Sequence, residues 1–275
     1  MLKTPITVAT HPVKVETGHL STKDKIRYAL WTEWSSKSYL DTYFSKLGPD
    51  SHENLKFLVR ELQVFKGKPK RKILDFGAGP TIFTALAVLP YASEIHITDY
   101  LVDNLLEVNK WLRNDPDAFD WSLCTKEILE LEGIIPDKKT VELREKALRS
   151  TKTQISLCDA SLPLPLKNNE KYPIVISNFC ADSATASKDI CKVYMKNIVS
   201  LVAKNGTLLL SALRNCSFYR IKNMQFPCAN INEGDLITIL LECGFKLKNI
   251  QVDICNIPEC APEGFTSMMF ARAIK

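Results

Sequence analysis

The chain has 275 residues, 45% of them hydrophobic and 24% charged, with 36 Lys and Arg against 31 Asp and Glu for a formal net charge of +5. That length can bury the core of one large domain, and that composition argues against a disordered, collagenous or membrane-embedded chain. The cationic excess is small and spread out, and its densest run, KGKPKRK at 66–72, lacks an aromatic stacking platform, so it reads as a solvated loop and not a nucleic-acid surface.

Residues 1–20 are polar, carry Pro and Gly without a sustained hydrophobic period, and are expected to form a flexible tail. They lack the apolar core of a signal peptide, and no run of 18 apolar residues follows anywhere, so neither secretion nor a membrane span is expected. The nine cysteines form an odd set with no CxxC pair, and the four histidines have no metal-ligand spacing. A reducing, cytoplasmic location without a bound metal is the expectation.

From 21 to 66 the pattern predicts amino-terminal helices. Leu55, Leu58, Val59, Leu62 and Phe65 fall at helical spacing, with Asp50 or Ser51 available as the N-cap. Short β-rich runs then begin: RKILDF at 71–76, EIHIT at 94–98, TQISLC at 153–158, PIVIS at 173–177 and TLLLS at 207–211. Helical stretches such as LVDNLLEVNKWL at 101–112 and DICKVYMKNIVSLV at 189–202 lie between most of them. Strand and helix in alternation predict an α/β fold, a parallel sheet wound on both faces. Residues 113–152 are long, polar and rich in Lys and Glu, and predict inserted surface helices. FKLKNIQVDI at 245–254 and GFTSMMFARAI at 264–274 bring the strands to seven, and the short loop between them predicts a last antiparallel strand. Residues 21–275 are thus expected to form one domain.

Ligands of a doubly wound sheet bind outside the carboxyl ends of its strands. Asp75 and the Gly77-Ala78-Gly79 turn, Asp99, Asp159 and Ser177-Asn178 all fall at such ends. The turn DFGAGP lacks the third glycine of a dinucleotide site, and Pro80 is placed at the start of the next helix, so close approach without a phosphate cradle is predicted. Asp99 follows Asp75 at about the offset of a ribose-binding carboxylate. A nucleoside with a polar tail fits this pattern, and S-adenosylmethionine is such a molecule. Asp75 is expected to organise the backbone donors of the glycine turn and to sit near the cofactor's ammonium. Structural alternatives stand beside these readings: a plain tight turn for Gly-x-Gly and a helix N-cap for Asp75 or Asp159.

SYLDTYF, ILDFGAGPTI, ITDYLVDNLLEVNKWL, DPDAFDWS, LCDA and SFYRIKNMQFP together resemble the small-molecule methyltransferases that include nicotinamide, phenylethanolamine and indolethylamine N-methyltransferases and thioether S-methyltransferase. The resemblance runs from about Tyr39 to the carboxyl terminus. It implies a class I S-adenosylmethionine-dependent methyltransferase fold, Rossmann-like, with an amino-terminal helical lid. By position it places Asp75, Gly77, Gly79 and Thr81 against the methionine end of the cofactor, with Tyr39 and Tyr43 or Phe44 closing over it. It places Asp99 on the ribose with Tyr100 and Asn104 lining the pocket, Asp159 and Ala160 on the adenine edge, and Asn178 near the sulfonium.

The acceptor side departs from that pattern. Ser211 stands where similarity to the nicotinamide enzyme calls for Asp, leaving Asp182, Glu259 and above all Glu263 as carboxylates open to an amine. Asn178, Ser211, Glu263 and Tyr39 are the expected acceptor-side residues, in orienting roles without an obligatory base. The implied activity is methyl transfer to the nitrogen of a small amine or azaheterocycle, leaving S-adenosylhomocysteine, by a monomer that needs no nucleic-acid or membrane partner. Alternatives are ring closure of the cofactor itself with release of methylthioadenosine, thioether methylation, or a binding module without turnover.

Overall fold

The computed structural model describes residues 29–275, so the tail expected at 1–20 and the helical onset near Thr22 lie outside the described residues. A single 3-10 turn, Trp31–Glu33, precedes α1 (Ser36–Tyr43), where the Ser35 side chain accepts from Ser38 N–H. Helix α2 (Pro49–Leu62) continues into a 3-10 turn, Gln63–Phe65. Its N-cap is Gly48 and not the expected Asp50 or Ser51. Pro49, with φ preset and no N–H to satisfy, takes the first helical position and moves the start forward.

The strands are β1 (Arg71–Phe76), β2 (Ala92–Asp99), β3 (Thr153–Leu157), β4 (Tyr172–Asn178), β5 (Val202–Leu213), β6 (Phe218–Ile221), β7 (Met224–Pro227), β8 (Ile250–Asn256) and β9 (Ser267–Ile274). Seven form one sheet in the order β3-β2-β1-β4-β5-β9-β8, parallel from β3 to β5, with β9 antiparallel to both its neighbours. Near-continuous apolar runs suit strands covered on both faces: Ile73, Leu74, Phe76, Ile174, Val175 and Ile176 are all buried. The last antiparallel strand is as expected, although β8 starts only at Ile250, because a 3-10 turn at Leu247–Asn249 intervenes.

Helices α3 (Phe83–Val88), α4 (Val102–Leu112), α5 (Ser122–Leu131), α6 (Lys138–Ser150), α7 (Lys188–Ser200) and α8 (Glu233–Glu242) complete the layers. One core joins Leu58 and Leu62 of α2 and Leu86 of α3 to Ile176 and Leu209; the other joins Met195 of α7 and Leu236 of α8 to Val175 and Leu208. The insertion forms α5 and α6, and Ile128 and Leu148 bury its apolar side in the first core. Pro80 lies in the turn, three residues before α3, so it does not open that helix.

Residues 218–227 fold into a two-stranded hairpin of β6 and β7, which simple strand-helix alternation does not foresee. Its turn is Lys222-Asn223, with Lys222 at φ 53°. The hairpin stands on the amino-terminal segment: Tyr43 Oη donates to Arg220 O at 2.7 Å, and Ala29 N–H to Gln225 O at 2.7 Å. Among the described residues no helix is long and apolar enough to cross a membrane.

Candidate active site at the strand ends

Strand order reverses between β1 and β4, and the crevice at their carboxyl ends is where such sheets hold ligands. At the end of β1, Asp75 is 1% exposed, and its Oδ2 has no hydrogen-bond partner among the described residues. Burial pushes its pKa up to about 8; the Thr84 hydroxyl opposes the shift and the Asp99 charge adds to it. An orphaned buried carboxylate oxygen is costly in a folded protein unless a ligand completes it. A primary ammonium supplies both the missing donor and the charge, so the donor set fits an amino-acid tail.

Asp75 does not organise the glycine turn, contrary to expectation. Thr98 O accepts from Gly77 N–H and Ala78 N–H, both at 2.9 Å, and Asp99 Oδ2 accepts from Gly79 N–H at 2.8 Å. The second strand holds the turn because its end lies beside that of β1, whereas the Asp75 side chain points to the face covered by α2 and α3. Gly77 and Gly79 have φ of 71° and 64°, conformations that favour glycine. A Cβ on Gly77 would come within 2.2 Å of Cys180 Sγ, so backbone and thiol are in direct contact there. Thr81 is buried, with its hydroxyl donating to Ala78 O at 2.6 Å, and it shapes the turn from below.

Asp99 is buried, and burial raises its pKa against the donors it receives. Its Oδ1 accepts from Leu101 N–H at 2.8 Å and Asn104 Nδ2 at 2.9 Å. With Gly79 on Oδ2, three donors occupy the carboxylate, leaving acceptor capacity on Oδ2. Asn104 in turn accepts from Trp34 Nε1 at 2.9 Å and Ser36 Oγ at 2.8 Å. A hollow of about 200 Å³ lies between Trp31, Trp34, Leu101 and Asp103. Tyr100 is 44% exposed, and its phenol pKa is raised by partial burial first and by the charge of Asp159 second. Asp159 Oδ1 accepts from Ser161 N–H at 2.9 Å and Ser161 Oγ at 2.6 Å; it caps a turn, since no helix follows it. Ala160 O accepts from Asn197 Nδ2 at 2.8 Å.

Across the switch point the chemistry changes. Asn178 and Ser211 are register partners on β4 and β5. Ser211 Oγ lies 2.9 Å from Asn178 Oδ1 and 2.7 Å from Oδ1 of Asn54 on α2, while Asn178 Nδ2 donates to Thr84 Oγ1 at 3.0 Å. A chain of neutral groups therefore runs from α2 across two strands to the Thr84 hydroxyl beside Asp75. Ser211 is 1% exposed, and both its neighbours are amides of this chain, so it holds the site together and is not free to meet an acceptor. Asp182 is likewise not open to an amine: it is 1% exposed, accepts from Leu213 N–H at 2.8 Å, and burial lifts its pKa to about 6.

Near this row the aromatics of the amino-terminal segment meet. Ring centroids of Tyr39 lie 5.1 Å from Tyr43 and 5.2 Å from Trp34. Phe44 turns inward, stacked on Phe83 at 5.6 Å, and belongs to the core. Burial raises the Tyr39 and Tyr43 phenols, and the Asp50 charge adds to both; Glu263 adds to Tyr43. Asp50 is itself raised, mainly by burial, with Glu263 contributing. Glu263 thus stands near Tyr43 and Asp50, on the 3-10 turn Pro258–Glu263 before β9, while Glu259 is exposed on an open groove of about 490 Å³ with Gly48, Glu53 and Glu127.

Asn54, Thr84, Trp34, Ser36 and Asp50 are the neighbours that sequence reasoning does not assign to the site. For Asn54 a signal existed, because Asp50, Asn54, Leu58 and Leu62 repeat at four residues and set polar groups on the buried face of α2. Among the described residues no group of His, Cys, Asp or Glu is placed to hold a metal ion.

A family model described as the NNMT/PNMT/TEMT family matches residues 24–275. Rabbit (Oryctolagus cuniculus) indolethylamine N-methyltransferase is 30% identical over 223 residues, covering 78% of this chain and 83% of that protein. Human (Homo sapiens) nicotinamide N-methyltransferase is 28% identical, covering 80% and 85%. Among solved structures, the N-methyltransferase NodS of Bradyrhizobium japonicum WM9 in complex with S-adenosylhomocysteine superposes with a TM-score of 0.53 over 86% of this chain and 92% of that one. At 12% identity that likeness concerns the fold.

Proposed function

The chain belongs to the NNMT/PNMT/TEMT family and is an S-adenosylmethionine-dependent methyltransferase, and from that premise we propose that it methylates the nitrogen of a small amine or azaheterocycle. The observation that carries the placement of the cofactor is the partnerless Oδ2 of Asp75 beside the glycine turn. In this reading Asp75 receives the ammonium, Gly77 and Gly79 admit the amino-acid tail, and Asp99 with Asn104 meets the ribose. Tyr100, Asp159 and Ala160 flank the adenine. Thr81 supports the turn from beneath.

Bound S-adenosylmethionine supplies an already activated methyl group, so the task left to the protein is alignment and exclusion of water. Asn178 ends β4, fixed by Thr84 and Ser211, and in this reading it orients the acceptor near the sulfonium. Tyr39 and Tyr43 offer aromatic faces to a flat or cationic acceptor. Glu263, whose charge acts on Tyr43, is the carboxylate assigned in this reading to orienting the charged end of an amine; Ser211 and Asp182 are held by contacts within the protein. A pyridine-type nitrogen needs no proton removed, whereas an amine has to reach the methyl in its neutral form.

A methyl-transfer screen across amines, pyridines, indoles and thioethers, read as S-adenosylhomocysteine formed, tests the proposal. Turnover of at least one nitrogen acceptor above the cofactor-only rate is expected. Turnover confined to thioethers, or release of methylthioadenosine from cofactor alone as the main reaction, would overturn it.

A further inference from the structure

Asn104 Oδ1 accepts two hydrogen bonds from the amino-terminal segment, Trp34 Nε1 at 2.9 Å and Ser36 Oγ at 2.8 Å, while Nδ2 of the same amide donates to Asp99 Oδ1 at 2.9 Å. These contacts span 70 and 68 residues of sequence, and Asn104 is 2% exposed. An amide turned by 180° would set its NH₂ against the indole N–H and its oxygen against the carboxylate. The two donors therefore decide which end of Asn104 faces Asp99. With Asn104 and Leu101 both on Oδ1, and Gly79 on Oδ2, the carboxylate has one orientation, and its spare acceptor capacity is on Oδ2.

We propose that Trp34 and Ser36 are positioning residues for the cofactor, which act through Asn104 to hold the Asp99 carboxylate in the orientation that receives a ribose hydroxyl. The inference rests on the placement of the ribose at Asp99 given above. It assigns the amino-terminal segment a task apart from covering the site: its two hydrogen-bond donors preorganise a residue that the cofactor touches. Trp34 also packs on Tyr39 and Phe226, so Trp34→Phe keeps an aromatic ring among those neighbours and removes the N–H.

The test is a double-mutant cycle on S-adenosylhomocysteine affinity by calorimetry, using Trp34→Phe, Ser36→Ala, both together, and each in an Asn104→Ala background, with melting midpoints alongside. Losing both donors is expected to weaken binding about tenfold, to raise KM for S-adenosylmethionine with kcat within about threefold, and to have almost no further effect once Asn104 is Ala. Lower melting midpoints with unchanged affinity, or losses that simply add to that of Asn104→Ala, would overturn the relay. Asp99→Ala separates the two levels. If it binds S-adenosylhomocysteine like the unaltered protein, the ribose placement fails; if it binds weakly while the Trp34 and Ser36 variants bind normally, the relay alone fails. Should the double variant not fold, each single variant still decides through its own cycle with Asn104→Ala.

Discussion

The two sides of the switch point are built on opposite electrostatic plans. At the ends of β1 and β2 stand two buried carboxylates, one with an oxygen that nothing in the described protein satisfies. On β4 and β5 stand Asn178 and Ser211, an amide and a hydroxyl tied to each other and to Thr84 of α3 and Asn54 of α2. The first side stores an unmet hydrogen bond for a ligand to complete, and the second spends its hydrogen bonds on fixing its own geometry. Removing a residue from the first should therefore cost affinity, and from the second, stability.

Asp75→Asn gives the largest effect this contrast implies. It is expected to weaken S-adenosylhomocysteine binding by about a hundredfold or more, roughly 2.7 kcal/mol, because an ammonium placed as proposed would lose the carboxylate it faces. The same change should raise the melting midpoint most at pH 9, less at pH 6, and leave it nearly unaltered near pH 4, as differential scanning calorimetry can read. The sign follows from linkage. The folded pKa of Asp75 is about 8, against an ordinary 3.8, so the folded state retains a proton that the unfolded state gives up between those values. Stability from this group is complete below about pH 4 and is lost as pH rises towards 8. A variant that binds as tightly as the unaltered protein would place the ammonium elsewhere.

Asp99→Ala should weaken binding at least tenfold, on the scale of about 1 to 3 kcal/mol for hydrogen-bonding groups left without a partner. Asn54→Ala sharpens the contrast from the other side. Chemical denaturation should show a loss of about 1 to 3 kcal/mol, since it strands one contact of the buried Ser211 hydroxyl, while affinity for S-adenosylhomocysteine stays within about twofold. A large affinity loss in a stable Asn54→Ala protein would erase the distinction between the two sides.

The smallest effect is a proton count. An ammonium placed against Asp75 lowers its pKa, so binding at pH 7 should release close to one proton, falling to about half near pH 8. Calorimetry in buffers of different ionisation enthalpy measures it. Asp75→Asn should abolish the release, and an unchanged count in that variant would assign the proton to another group.

The sheet was legible in the chain because its signals are local: short β-rich runs between helical stretches, and each of the seven runs read as a strand contains one. Asp75, the two glycines and Asp99 were legible because each is an exception at a strand end. Partners were harder to read. That Asp99 and Thr98, and not Asp75, hold the glycine turn depends on which neighbouring strand lies beside it. Asn54, Trp34 and Ser36 join the site through contacts 157, 70 and 68 residues apart, which no local period encodes. The hairpin at 218–227 was missed because its strands of four residues are too short to show alternation.

Two hydrogen bonds between the amino-terminal segment and that hairpin end on main-chain oxygens, those of Arg220 and Gln225. Every amino acid carries such an oxygen. Selection can thus vary the side chains at 220 and 225 without abolishing either acceptor, provided the hairpin keeps its backbone path. Length is the constrained quantity: inserting or deleting one residue in the two-residue turn at Lys222-Asn223 would shift the register and carry both oxygens away from their donors. Across lineages, positions 220 and 225 should therefore accept substitutions freely, while the hairpin resists insertions and deletions.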